Sequence, residues 1–67
     1  MRRPRLTARE IEVLQAIADG HHNREIAELL AVGQPTVKTH VVRLFARLSA
    51  RTRAHAVAIG FRNGFIH

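Results

Sequence analysis

The apolar residues of this chain recur at steps of three and four, in four short pieces, and no stretch alternates with period two over any useful length. That pattern calls for helices and no sheet. The first piece opens at "LTARE". Thr7 and Glu10 have the spacing of a capping box, and Leu6 and Ile11 that of a hydrophobic staple. Ile11, Leu14, Ile17 and Ala18 then form one stripe, and Gly20 is a natural stop. The spacing predicts a helix over 7–19. The second piece, "NREIAELLA", predicts a helix over 23–31, capped by Asn23 and burying Ile26, Leu29 and Leu30. "VGQ" turns the chain, with Gly33 expected to supply the backbone freedom. A third helix runs from near Gln34 to Leu48, with Pro35 in the first turn, where its missing N–H leaves no bond unmade. A fourth begins at Thr52 and ends at Gly64, with Val57 and Phe61 expected to face the core.

A chain of 67 residues supports one small domain, here 1–67 as a unit. It cannot easily enclose a deep substrate cavity, which argues against an enzyme. Without cysteine, disulfides and thiolate metal sites are excluded. No apolar run approaches the roughly 18 residues needed to span a bilayer, and the basic opening "MRRPRL" has no apolar segment after it. The chain therefore reads as soluble and cytoplasmic, with no membrane partner. Its charge is divided unevenly. All five acids (Glu10, Glu12, Asp19, Glu25, Glu28) lie before residue 29; after it come Lys38, Arg43, Arg47, Arg51, Arg53 and Arg62 with no acid. The net charge of +6 thus belongs to one half, which points to a polyanionic partner or, more plainly, to a solubilising surface.

Four short helices joined by tight turns make an all-α domain with a tri-helical core. The close spacing of the second and third helices is that of a helix-turn-helix, whose second helix enters the DNA major groove. Turning the third helix by about 100° per residue puts Val41, Leu44 and Leu48 within about 40° of Val37, as a core stripe. Opposite lie Pro35, Thr39, Val42, Arg43 and Ala46, flanked by Thr36, His40 and Arg47 on one side and Lys38 on the other. Small and apolar groups in the middle let a helix sit deep in a groove about 12 Å wide. A Thr hydroxyl can bond a base edge, Val42 can touch a thymine methyl, and Arg and Lys can reach purines or phosphates. The competing interpretations are that Val42 and Ala46 pack on a partner helix and that the cations are merely solvated.

With these residues in place, the chain resembles the LuxR/FixJ/GerE family of helix-turn-helix DNA-binding domains. The resemblance is carried by "LTAREIEVLQAIADG", "NREIAELL", "TVKTHVVRLFARL" and "RAHAVAIGFRNGFI", together about residues 6–66. It implies sequence-specific binding of double-stranded DNA in bacterial transcription regulation, with association to the nucleoid when bound. It implies base reading by Lys38, Thr39 and Val42, contacts to phosphates or flanking bases from Thr36, Arg43 and Arg47, and backbone contacts from Asn23 and Arg24; His40, at the edge of the core stripe by its place on the third helix, is expected to pack or to touch a phosphate. It also implies a homodimer through the fourth helix, using Ala56, Ile59 and Asn63. RNA polymerase and an N-terminal regulatory domain are further implied partners; both a standalone member and the output part of a response regulator fit the pattern. Three departures stand out. Gly33 replaces the usual Ser or Thr cap, Val42 stands where relatives are often polar or basic, and His55 stands where an acid is common near the start of the fourth helix.

Other constellations carry less. His22 and Glu25 could share a helical face only if the second helix began early, no third ligand is near them, and the His21–His22 pair suits a turn better than a metal site. Glu10 and Glu12 point apart on a helix and make no catalytic pair. No phosphate loop or nucleophile–base signature is present, and no cofactor is expected. A second function class stays open: a protein-interaction module docking on an acidic partner such as RNA polymerase or another regulator, motivated by Val42 and by the Ala56–Ile59 face. Within DNA binding, the promoter-reading domain of a sigma factor is the narrower alternative, against which "TVKTH" and "NREIAELL" argue.

Overall fold

The computed structural model describes residues 4–67; residues 1–3, part of the basic opening, lie outside the described residues. The order is α1 (Ala8–Ala18), α2 (Asn23–Leu30), α3 (Gln34–Leu48) and α4 (Arg53–Arg62), with no strand among the described residues. The fold is all-α, as the spacing requires. α3 packs against each of the other three helices, and α1 also packs against α4. The core gathers Val13, Leu14 and Ile17 from α1, Ile26 and Ala27 from α2, Val37, Leu44 and Leu48 from α3, Ala56 from α4, and Ile66 beyond it.

Helix ends explain why the elements stop where they do. At α1, Thr7 Oγ1 accepts from the Glu10 amide (3.1 Å) and Glu10 Oε1 accepts from the Thr7 amide (2.8 Å), completing the capping box. At α4, Thr52 Oγ1 accepts from the His55 amide (3.0 Å). All four helices close with the same pair of backbone bonds, one spanning six residues and one spanning four: His21 to Ala16 with Gly20 to Ile17, Val32 to Ala27 with Ala31 to Glu28, Ala50 to Phe45 with Ser49 to Ala46, and Phe65 to Gly60 with Gly64 to Phe61. The motif needs a left-handed residue. Gly20 and Gly64 supply it for α1 and α4, but Ala31 (φ 57°) and Ser49 (φ 53°) supply it for α2 and α3.

The structure corrects several expectations. Gly33 does not turn the chain: it sits in extended geometry (φ −77°, ψ 157°) as the N-cap of α3, and Ala31 takes the left-handed conformation instead. The bend must fall where α2's last carbonyls need amide partners, and that position is Ala31. Asn23 is the first residue of α2, not its cap; His22 holds the cap position. Leu29 is 62% exposed, because the buried side of α2 runs through Ile26 and Ala27. In α1, Val13 and Glu10 are buried while Ile11 is half-buried. The correction at α4 is the largest. Phe61 is 53% exposed, and the buried residues are Ala56 and Gly60. A Cβ added to Gly60 would lie 2.8 Å from Leu14 Cδ2 and 3.0 Å from Ile66 Cδ1, so α4 approaches α1 at glycine distance. So close an approach leaves no room beneath the helix for Phe61.

Candidate nucleic-acid interface

α3 divides as its spacing requires. Val37 and Leu44 are fully buried, Leu48 nearly so, and Val41 and His40 are half-buried. Pro35, Thr36, Lys38, Thr39, Val42, Arg43, Ala46 and Arg47 are exposed on the other side. Pro35, Lys38, Thr39, Val42 and Arg43 together line one depression on this face. The N-terminus of α2, with Asn23 and Arg24, carries the remaining residues expected to contact phosphate.

Those residues are not equally free. Lys38, Arg43 and Arg24 make no ion pair or side-chain hydrogen bond among the described residues. Arg47 does: its Nε lies 2.8 Å from Glu10 Oε2, and the Glu10 side chain is only 6% exposed. Arg47 therefore fastens α3 to the first turn of α1, with about half of its side chain (51%) left exposed. Burying a carboxylate is costly unless it is paired, and Glu10 is paired twice, by the Thr7 amide and by Arg47. Asn23 is also engaged. Its Oδ1 accepts from Arg53 Nη1 (3.1 Å), while Arg53 Nη2 donates to the His21 carbonyl (3.2 Å). This bridge ties the start of α4 to the start of α2 and uses one of the late cations. Thr39 Oγ1 donates to the Pro35 carbonyl (3.1 Å) within its own helix.

Two histidines do local structural work. His55 Nδ1 accepts from the Arg51 amide (3.2 Å), so the imidazole supplies a reciprocal contact at the start of α4 in place of a carboxylate. His21 Nδ1 lies 3.7 Å from Glu25 Oε2. Glu25 Oε1 accepts from the His22 amide (2.9 Å). That backbone bond, aided by the nearby His21 and His22 and opposed by slight desolvation, holds the Glu25 carboxyl below its ordinary value. Its contribution to stability is accordingly present above the ordinary carboxylate pKa and lost as pH falls through the lowered one. No group of three or more His, Cys, Asp or Glu side chains able to hold a metal occurs among the described residues. No helix among them is long and apolar enough to cross a membrane.

The expected dimer residues fare differently. Ala56 has no exposed surface, so it belongs to the core and cannot face a second copy. Ile59 and Asn63 are half-buried on the same side, and Asn63 Nδ2 donates to the Ile59 carbonyl (2.9 Å). The outward face of α4 instead carries Ala54, Phe61 and the half-buried Ala58. Val57 is half-buried against the core as its spacing suggested, but sequence spacing also took Phe61 for a buried residue and so set the outward face on the wrong side. The signal that could have found the true face was the Ala56–Gly60 pair, two small residues one turn apart.

A short helix pair joined by a tight turn, its second helix presenting an exposed, acid-free face, defines a helix-turn-helix domain. Residues 4–59 match the family described as bacterial regulatory proteins, luxR family, and the chain belongs to that family of DNA-binding transcription regulators. It is 48% identical over 60 residues to the uncharacterized transcriptional regulatory protein YxjL of Bacillus subtilis, covering 90% of this chain and 28% of that protein. It is 41% identical over 61 residues to the transcriptional regulatory protein DegU of Brevibacillus brevis, covering 91% of this chain and 26% of that protein. Among solved structures, the response regulator ChrA of a heme-sensing two-component system superposes with a TM-score of 0.88 at 36% identity, over 98% of this chain and 33% of that one. Vibrio cholerae VqmA, solved as a complex with ligand and DNA, superposes with a TM-score of 0.83 at 26% identity, over 97% of this chain and 28% of that one. The chain thus spans about a quarter to a third of the length of these relatives.

Proposed function

We propose that this chain binds double-stranded DNA sequence-specifically, with α3 in the major groove, as the DNA-contacting part of a transcription regulator. The observation that carries the proposal is the outer face of α3: exposed, free of acid, apolar at its centre, and bordered by Lys38 and Arg43, which have no partner within the described residues. A face intended only for water would mix Glu with Lys in i,i+4 pairs. In this proposal Lys38, Thr39, Val42 and Arg43 meet base edges. Asn23, Arg24, Thr36, His40 and the exposed part of Arg47 meet phosphates on the groove walls. Arg47 has a second role, since its bond to Glu10 sets the position of α3 against the rest of the domain.

A homodimer through α4 completes the proposal, with contact residues revised to Ala54, Ala58 and Phe61. Phe61 supports this revision: it is a large aromatic residue, 53% exposed, on a helix whose fully buried residues are Ala56 and Gly60. RNA polymerase and an N-terminal regulatory domain are the partners expected of a regulator of this family.

The test is a duplex titration at several salt concentrations, using DNA selected by this chain from a random pool. Counterion release requires affinity to fall linearly on a log–log plot against salt, with a slope of about −0.9 per phosphate neutralised. Binding that ignores salt contradicts the proposal. Two half-sites at a fixed spacing in the selected DNA support the dimer, and single unpaired sites contradict it.

A further inference from the structure

We infer that the centre of the α3 outer face is a methyl-reading surface: Pro35, Thr39 and Val42 together take the 5-methyl groups of thymines in the major groove. The inference rests on the DNA-binding proposal and deepens it, because it states which base feature the site selects.

Three observations converge. Val42 is 62% exposed, an aliphatic side chain left uncovered at the middle of a recognition face. Thr39 sits beside it, and its hydroxyl is already committed. A threonine hydroxyl has one proton, and here that proton goes to the Pro35 carbonyl one turn back (3.1 Å). The hydroxyl proton is thereby directed onto its own helix, in a residue that lines the depression. The residue cannot donate to a guanine or thymine oxygen without giving up that bond. Pro35, the third residue, has a hydrocarbon ring and no amide proton. All three line one depression, with Lys38 and Arg43 completing its lining.

The major groove offers such a surface one hydrocarbon feature, the thymine methyl. The two cations supply charge complementarity to the phosphates or to guanine acceptors at the sides, while the centre has no uncommitted polar hydrogen to offer a base and keeps only the acceptor side of the Thr39 oxygen. Site selection at the centre therefore follows the positions of methyl groups. The flanks select by charge.

The experiment uses the duplex selected by the chain from a random pool, resynthesised with deoxyuridine in place of thymidine at one half-site position at a time. This change removes only the methyl and keeps every hydrogen-bonding edge. At contacted positions the account predicts a loss of about fourfold in affinity per methyl, the value of one buried CH₂-sized group, with the salt slope unchanged. Val42→Ala abolishes that sensitivity at the thymine it covers. Thr39→Val, which keeps the γ-methyl and replaces the hydroxyl with a second methyl of similar size, binds within about twofold of the parent, whereas Thr39→Ser, which loses the methyl, binds about fourfold more weakly. Both side chains are exposed, and circular dichroism verifies that each variant is folded. Steep salt dependence with indifference to deoxyuridine at every position overturns the methyl reading and leaves the DNA-binding proposal standing. A Thr39→Ser variant that binds like the parent while Thr39→Val fails also overturns it, since the hydroxyl would then be the reader. Failure to bind any duplex in a salt-dependent way overturns both.

Discussion

α3 meets the core with Val37, Leu44 and Leu48, and α4 meets it with Ala56 and Gly60. The two helices therefore reach the same core by different means. α3 fills space with branched side chains and is held at the distance those chains set. The fully buried residues of α4 are small, with Val57 and Ile59 half-buried beside them, so its backbone comes close enough that a single added methyl at Gly60 would collide with Leu14. The consequence for the outer faces is opposite. Behind large buried residues, α3 keeps small and cationic groups outside. Behind small buried residues, α4 sends its largest side chain, Phe61, outward. A large apolar residue is evidence of a core face only where the neighbouring helix leaves it room.

Mutations can break or sharpen this contrast. The largest effect is expected at α3: Leu44→Ala leaves a cavity in a fully buried site and should cost about 2–5 kcal/mol by denaturant unfolding. Phe61→Ala, although it removes more atoms, should cost less than about 0.5 kcal/mol in the same assay. Equal losses would mean that α4 is buried through Phe61 after all.

Next comes Arg47→Ala, which leaves the buried Glu10 carboxylate with only the Thr7 amide. A loss of about 2–3 kcal/mol is expected, in the range for an under-satisfied buried charge. Double substitution of Glu10→Gln with Arg47→Ala should recover part of it. No effect of Arg47→Ala on unfolding would return this residue to a purely phosphate-contacting role.

Gly60→Ala should destabilise by about 1–3 kcal/mol through overpacking against Leu14 and Ile66. An unchanged unfolding midpoint would show that α4 can retreat without penalty.

The smallest effect separates the two kinds of helix end. Ala31→Gly should stabilise by about 0.5–1 kcal/mol, because a left-handed residue with a Cβ is strained. The reverse sign would mean that the added freedom of the unfolded chain outweighs the strain relieved.

What the sequence made legible follows the same division. The capping box at Thr7 and Glu10, the α3 stripe and the stops at Gly20 and Gly64 were readable because each rests on local spacing and on the chemistry of one or two residues. The exposure of Leu29 and Phe61, and the burial of Ala56 and Gly60, were not. They depend on how closely two helices approach, which no single helix records in its own periodicity. The turn between α2 and α3 was misplaced onto Gly33 for a related reason. Glycine is the usual signal of a left-handed residue, but the demand for one came from the carbonyls at the end of α2 and fell on Ala31. The outer face of α3 was legible as a set of residues, but not the division within it. Sequence shows five side chains facing outward; only the folded chain shows that Arg47 beside them is tethered to Glu10 and that Thr39 has already spent its proton.

The central claim is that the outer face of α3, and not the separate depression lined by Ile11, Leu29 and Phe65, receives the partner. Amide chemical-shift mapping by NMR during titration with the selected duplex tests it most directly. The account predicts the largest changes at residues 34–43 and at Asn23 and Arg24, with the α1 groove left nearly unmoved. Changes confined to Ile11, Ala16 and Leu29, with α3 silent, would contradict it.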